Sequence, residues 1–154
     1  EVMSWIVPVI IFADQLIKVA AKNYLFYNPI KIWFFELTYT ENTGIAFGAF
    51  KGASLFFGVV SVVVAVIMLI ARDRFYRQGK LSPLGDLAVN MIIGGAIGNM
   101  VDRIRLGYVV DMFYIPFFSV FNVADSFVTI GAVLLAIYFL RTEKIGAKNT
   151  SNQQ

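Results

Sequence analysis

Gly98–Ser126 reads GNMVDRIRLGYVVDMFYIPFFSVFNVADS, and it sets three aspartates, Asp102, Asp111 and Asp125, among aromatic and aliphatic neighbours, with Asn99, Arg103 and Asn122 close by. A carboxylate that leaves water without a partner is costly, so such a group is normally paired, protonated or used in chemistry. The surrounding composition explains why water is scarce. The chain has 154 residues, of which 58% are hydrophobic and 15% charged, with a mean hydropathy of +0.72. Those values lie outside the range of soluble domains and indicate an integral membrane protein. Cysteine and histidine are both absent. Thiolate chemistry is thereby excluded, along with the commonest general base and metal ligand, and catalysis falls to carboxylates, hydroxyls, Lys or Tyr. The net charge of +3 comes from scattered Lys and Arg; they read as topology signals, and no nucleic-acid partner is expected.

A membrane span needs roughly 17 to 25 mostly apolar residues. Four segments qualify, at about 3–21, 55–71, 83–100 and 123–140. Asp14 and Lys18 interrupt the first and a basic leader is missing, so it reads as a retained helix and not as a cleaved signal peptide. Ser54 and Asn122 are placed as N-caps of the second and fourth helices, and Ser82-Pro83 opens the third. Arg72, Arg74, Arg77 and Lys80 crowd one short loop and Arg141, Lys144 and Lys148 follow the last span, which puts that loop and both termini in the cytoplasm. The longer connections then lie outside, and the three aspartates gather at the outer face. The aromatic, β-branched run from Lys31 to Thr40 predicts a small sheet or hairpin on the membrane surface, anchored by Trp33, Phe34, Phe35 and Tyr39. Met112–Phe121, too short and proline-interrupted to span, is expected to lie along the outer interface. Gly94 and Gly98 have the spacing that allows close helix packing, and the polar segment 142–154 is expected to be disordered.

Asp14 and Lys18 share a helix face four residues apart. An ion pair that ties the helix to the bundle and a direct part in substrate binding are both open for them. Asp102 reads as a structural partner of the neighbouring arginine, and Arg103 as a group that positions a carboxylate or a substrate carbonyl. Asp111 and Asp125 can meet if the interface segment folds back; close carboxylates share a proton, and such a pair activates water. A metal or proton site, or helix capping without chemistry, would use the same residues. A small transporter is a further alternative, although the acidic residues collect at one face.

The motifs resemble those of lipoprotein signal peptidase, signal peptidase II, a bacterial inner-membrane aspartyl protease family. The likeness rests on Asp14-Gln15 with Lys18, on Asn42-Thr43-Gly44-Ile45-Ala46-Phe47, on Gly98-Asn99-Met100-Val101-Asp102-Arg103 with Gly107-Tyr108-Val109-Val110-Asp111, and on Phe121-Asn122-Val123-Ala124-Asp125-Ser126. The resemblance implies an all-α membrane protein: a four-transmembrane-helix bundle over residues 1–141, with a small extracytoplasmic β-cradle at about 28–42 and a short outer helical segment near 44–52. It implies Asp111 and Asp125 as the catalytic pair and Asn42, Asn99, Arg103, Asn122 and Ala124 as substrate-binding residues. Asp14, Lys18, Asp102, Gly44 and Gly98 take supporting roles. The implied substrate is a prolipoprotein whose lipobox cysteine carries diacylglycerol, cut just before that cysteine in the bacterial cell (inner) membrane. No metal or other cofactor is implied; membrane lipid and globomycin-type inhibitors are the further partners, and a monomer is expected. Tyr108 departs from the family pattern, where His is expected.

Overall fold

The computed structural model describes residues 3–44 and 54–151, with side chains as far as Thr142. In chain order its elements are α1 (Ile6–Leu25), β1 (Ile30–Ile32), β2 (Phe35–Asn42), α2 (Ser54–Arg77), α3 (Pro83–Leu106), β3 (Val109–Tyr114) and α4 (Val123–Ser151). The expected outer segment near 44–52 falls, apart from Gly44, outside the described residues. Three helices, α2, α3 and α4, are long and apolar enough to cross a membrane. The fourth expected span corresponds to α1, whose 20 residues include Asp14, Lys18 and Lys22.

α3 is the central helix and packs against the other three. Its start follows from local chemistry: Ser82 is extended, its side chain accepts the Gly85 N–H, and Pro83 fills the first turn, where a missing N–H costs nothing. Close approach is built into its middle by glycine. A Cβ on Gly94 would stand 3.0 Å from Ile10 of α1, one on Gly95 would stand 2.4 Å from the Ala124 carbonyl oxygen of α4, and one on Gly98 would stand 2.8 Å from the Asp14 carboxylate. The expected packing role of the Gly94/Gly98 pair is therefore met, on the α1 side. The buried residues of α1 are Ile10, Asp14, Lys18, Ala21 and Leu25, a stripe at helical spacing that includes both of its acidic and basic partners.

The start of α1, the end of α2 and the start of α3 are tied by a polar cluster. Arg72 donates to Asp86 at 2.7 Å and to Ser4 at 2.8 Å, while the Met3 N–H donates to Asp86 at 2.6 Å. α4 continues past Leu140 to Ser151. The disorder expected from Thr142 onward is thus replaced by helix as far as Ser151, because extending an existing helix fixes only one residue per added hydrogen bond.

The strands form one antiparallel sheet in the order β1-β2-β3. β1 and β2 make the hairpin expected over 28–42. The third strand corrects the sequence reading: Met112–Phe121 does not simply lie along the interface, since its first part completes β3, where Asp111 pairs with Thr40 and Glu36 with Tyr114. Polar Asp111 interrupts the alternation that would have marked a strand. Phe121 then closes back on β3 through reciprocal bonds with Phe113 of 2.8 and 3.1 Å. A bulge lets Thr38 and Tyr39 of β2 stand against Met112 alone, which turns β2 locally. Val110 and Met112 pack with Ala21 and Leu25 in a small core that fastens the sheet to α1.

Gly95→Ala forces its methyl against a backbone carbonyl that moves only if α4 moves, so we expect a loss of about 1–3 kcal/mol. Gly58→Ala places its methyl 3.5 Å from Arg103 Cδ, an ordinary contact, and should be neutral or stabilising. Thermal melting of both variants in detergent checks the contrast.

Candidate active site

Asp125 and Asp111 come together because two chain reversals are fixed by side chains. Gly107, at φ 81°, ends α3 in a left-handed cap with its N–H on the Arg103 carbonyl, as glycine does at helix ends. Asp102 then accepts the Val110 N–H at 3.0 Å, which pins β3 one residue before Asp111. At the second reversal, Asn122 Oδ1 accepts the Asp125 N–H at 2.9 Å, and Asp125 Oδ2 accepts the Asn122 N–H at 3.1 Å. This reciprocal pair is a capping box. It bears out the expected N-cap and makes Asp125 the third residue of α4, beside the positive end of the helix dipole. Ser54, by contrast, is the first residue of α2, and its buried Oγ has no partner among the described residues.

Both aspartates line a cavity of about 600 Å³, together with Asn42, Asn99, Arg103 and residues of α4 and of the β3–α4 connection. Asp111 is 1% exposed. Its Oδ2 accepts from Asn42 at 2.9 Å and its Oδ1 from Asn122 at 2.7 Å. Asp125 Oδ1 accepts from Asn99 at 2.7 Å. Burial pushes the Asp111 carboxyl up to about 7, and the nearby Asp125 charge adds to the rise, against the lowering effect of the two amide donors.

Beneath the pair lies a buried charge cluster. Lys18 donates to Asp14 at 2.8 Å, to Asp102 at 2.9 Å and to Asn99 at 3.0 Å. Gln15 adds a 2.8 Å bond to Asp102, and the free oxygen of Asp14 accepts the Ala124 N–H at 2.9 Å. Asp102 is therefore not the partner of arginine that its sequence position suggested. Its carboxylate points across to α1, because Lys18 offers a donor in the same buried layer. Arg103 instead packs its stem on Gly58 of α2 and reaches back along α3 to the Asn99 carbonyl at 3.4 Å. Its buried Nε lacks a partner among the described residues.

Of the residues expected to bind substrate, Asn42, Asn99 and Arg103 line the cavity. Asn122 and Ala124 are both 0% exposed: the first bridges Asp111 and Asn99, and the second packs against Gly95 and Gly98. Gly44 donates its N–H to Asn42 Oδ1 at 3.0 Å, which orients the Asn42 amide toward Asp111. Phe118, Val120, Ser126, Thr129 and Ile130 also line the cavity and were not anticipated. Ser126, Thr129 and Ile130 follow Asp125 at helical spacing, which is the signal that could have found them.

Two solved structures, each described as a bacterial membrane enzyme, share this arrangement of helices and sheet. One aligns with a TM-score of 0.76 and 27% identity over 98% of this chain and 91% of its own. The other gives 0.75 and 26% over 89% and 92%. The family model for signal peptidase (SPase) II matches residues 6–141. A lipoprotein signal peptidase of Caldanaerobacter subterraneus is 46% identical, covering 84% of this chain and 90% of the relative. One of Halothermothrix orenii is 41% identical over 92% and 97%. The chain belongs to the signal peptidase II family.

The raised Asp111 carboxyl has a consequence for stability. Its neutral form is favoured in the folded state, so its contribution is complete below about pH 4 and is lost as pH rises toward about 7. Asp111→Asn removes that dependence. The stability of the wild type relative to the variant should therefore fall by an amount on the order of a few kcal/mol between about pH 4 and pH 8, in melting curves recorded across pH.

Proposed function

We propose that this protein is a membrane aspartyl endopeptidase that removes the signal peptide from diacylglyceryl-modified prolipoproteins, cutting just before the lipidated cysteine, with Asp111 and Asp125 as its catalytic pair. Membership of the signal peptidase II family supports the class of substrate. The observation that carries the chemistry is the convergence of two unlike carboxyl groups on one cavity: Asp111, buried and pushed up to about 7, and Asp125, in the first turn of α4 with N–H donors on both oxygens.

In this reading Asp125 carries the charge and Asp111 the proton. Asp125 takes a proton from a water whose oxygen attacks the scissile carbonyl carbon, while Asp111 delivers its proton to the carbonyl oxygen. The resulting gem-diol collapses as Asp125 passes its proton to the departing nitrogen; the C–N bond breaks and a diol hydroxyl returns its proton to Asp111. Arg103, whose Nε has no partner among the described residues, binds a substrate carbonyl. Asn42, Asn99 and Asn122 hold the two carboxyls apart in role. No metal or organic cofactor takes part.

The topology follows the same reading. α1 is the fourth span, carried through the bilayer because Asp14 and Lys18 are buried against α3 and Lys22 lies in its last turn. Both termini are cytoplasmic, the cavity opens at the outer face of the inner membrane, and residues 1–141 are one domain that works as a monomer. Globomycin-type inhibitors occupy the same cavity.

Purified protein should cleave a diacylglyceryl-modified lipobox peptide before the cysteine. Asp111→Asn and Asp125→Asn should each lower kcat/KM by at least about 10²–10⁴-fold while leaving the protein folded, and EDTA should have no effect. Activity should decline as pH rises through about 7, where Asp111 loses its proton. Substantial turnover in either variant would defeat the assignment of the pair.

A further inference from the structure

Two adjacent residues of β2 carry opposite chemistry. Asn42 gives its amide to Asp111 at 2.9 Å, whereas Glu41 holds a carboxylate that accepts the Tyr39 hydroxyl at 2.9 Å. Successive strand residues point to opposite faces, so register alone decides which of the two meets Asp111. That register is not continuous. Leu37 pairs with Phe113 and Thr40 with Asp111, so β2 advances one residue more than β3 between these pairs, and the surplus is taken up at Thr38 and Tyr39. Carried straight on from Leu37, the ladder would set Tyr39 opposite Asp111 and Glu41 opposite Val109, the place that Asn42 takes. Asp111 would then meet another carboxylate in place of an amide donor, in a cavity that already holds Asp125. Carboxylates at such distances cannot all ionise.

A bulge disrupts ladder pairing, so something must favour it over the straight alternative. Tyr39 supplies the reason. Its ring packs on the small core of Ala21, Leu25, Val110 and Met112, with its centroid 5.2 Å from that of Phe26, and its hydroxyl lies 3.4 Å from the hydroxyl of Tyr108. In the straight ladder Thr38 would stand opposite Met112 and Thr40 opposite Val110. Two threonines would enter the core and the aromatic ring would leave it for the cavity, which reverses the usual preference for burial. The hydroxyl adds a second hold, because its bond to Glu41 keeps that carboxylate on the ring's side of the sheet.

We infer that Tyr39 is a positioning residue for the cavity: by anchoring the bulge in β2 it selects Asn42, and not Glu41, as the side chain presented to Asp111. It acts through register, one strand removed from the aspartate. The register assignment stands on the packing of the sheet; its effect on turnover rests on the proposed role of Asp111.

The chain has no cysteine, so an introduced disulfide can report the register. Val110 gives its N–H to Asp102 and not to β2, which makes its place in the ladder a non-hydrogen-bonded one. Opposed Cα atoms at such a place lie about 4.5 Å apart, within reach of a disulfide. In the bulged ladder Thr40 lies on the Asp111 face and Val110 on the other; in the straight ladder they are partners. Thr40→Cys with Val110→Cys should therefore keep both thiols open to maleimide after oxidation of the purified protein in detergent. Adding Tyr39→Thr, which retains a strand-forming residue, should close the pair. Adding Tyr39→Phe, which retains the ring, should leave it open. In the cysteine-free chain, Tyr39→Thr should lower kcat on a diacylglyceryl-modified lipobox peptide by about a hundredfold with KM little changed. Further addition of Glu41→Asn, which provides an amide in the straight ladder, should restore most of that loss, while Glu41→Asn alone should match the wild type. Thiols that stay open with Tyr39→Thr would overturn the register assignment. A pair that closes with turnover unchanged, or a loss that Glu41→Asn does not repair, would overturn the selection of Asn42 as the reason for it. A wild type that cleaves no lipopeptide would refute the proposed function and leave the thiol result to decide the register by itself.

Discussion

The cavity end of the molecule depends on one buried ammonium group. Lys18 is 3% exposed, and Asp14 and Asp102 are 0% and 2% exposed, so none of the three can exchange its partners for water. All three donors of the ammonium are used, on Asp14, Asp102 and Asn99. Each acceptor extends the link: Asp14 to the backbone of α4 at Ala124, Asp102 to β3 at Val110, and Asn99 to the cavity. Breaking a buried pair by removing one member typically costs about 3–5 kcal/mol, since the other charge is left behind. Gly98 belongs to this arrangement because any side chain there would occupy the space of the Asp14 carboxylate.

From the lysine, orientation passes outward through amides. Asn99 Oδ1 accepts from both Lys18 and Asn122, so its NH₂ must face Asp125. Asn122 gives its own NH₂ to Asp111 and Asn99 and keeps its oxygen for the Asp125 N–H. Only a side chain that donates and accepts at once can fill either place, which excludes carboxylates and ammonium groups. The two cavity aspartates thus end in different settings although both are acids bonded to amides. Asp125 shares its second oxygen with a helix N-terminus; Asp111 lies in a strand, more deeply enclosed, where loss of its proton is opposed.

Much of this was legible in the sequence. The apolar runs gave the helices, Ser82-Pro83 and Asn122 gave two of their starts, and the isolated carboxylates marked the end of the bundle where the cavity lies. What escaped was set by tertiary choice among near neighbours. Asp102 stands next to Arg103 in sequence, and only the packing of α1 on α3 shows that Lys18 takes it. β3 was hidden because a strand buried on one side by α1 and on the other by the cavity reads as an apolar run broken by one aspartate, with no regular alternation. Ala124 and Asn122 were assigned to substrate contact, yet both are enclosed, and they act on the cavity through Asp14 and through the two aspartates.

The same packing decides how the cavity is entered. α3 is held lengthwise, by the Arg72–Asp86 cluster at one end and the Lys18 cluster at the other, and its glycines draw α1 and α4 close in between. Arg103 projects from this fixed helix with its stem on α2 and its head in a cavity whose far wall is α4. That wall runs from Asp125 and Ser126 to Thr129 and Ile130, more than a turn into an apolar helix. The cavity is therefore graded along α4, from the Asp125 carboxyl through the Ser126 and Thr129 hydroxyls to the apolar Ile130. For the proposed substrate this grading matters physically. A peptide bond that needs water and an acyl chain that avoids it are joined through one cysteine, and both can be satisfied at once only where a wet pocket continues into a lipid-facing groove.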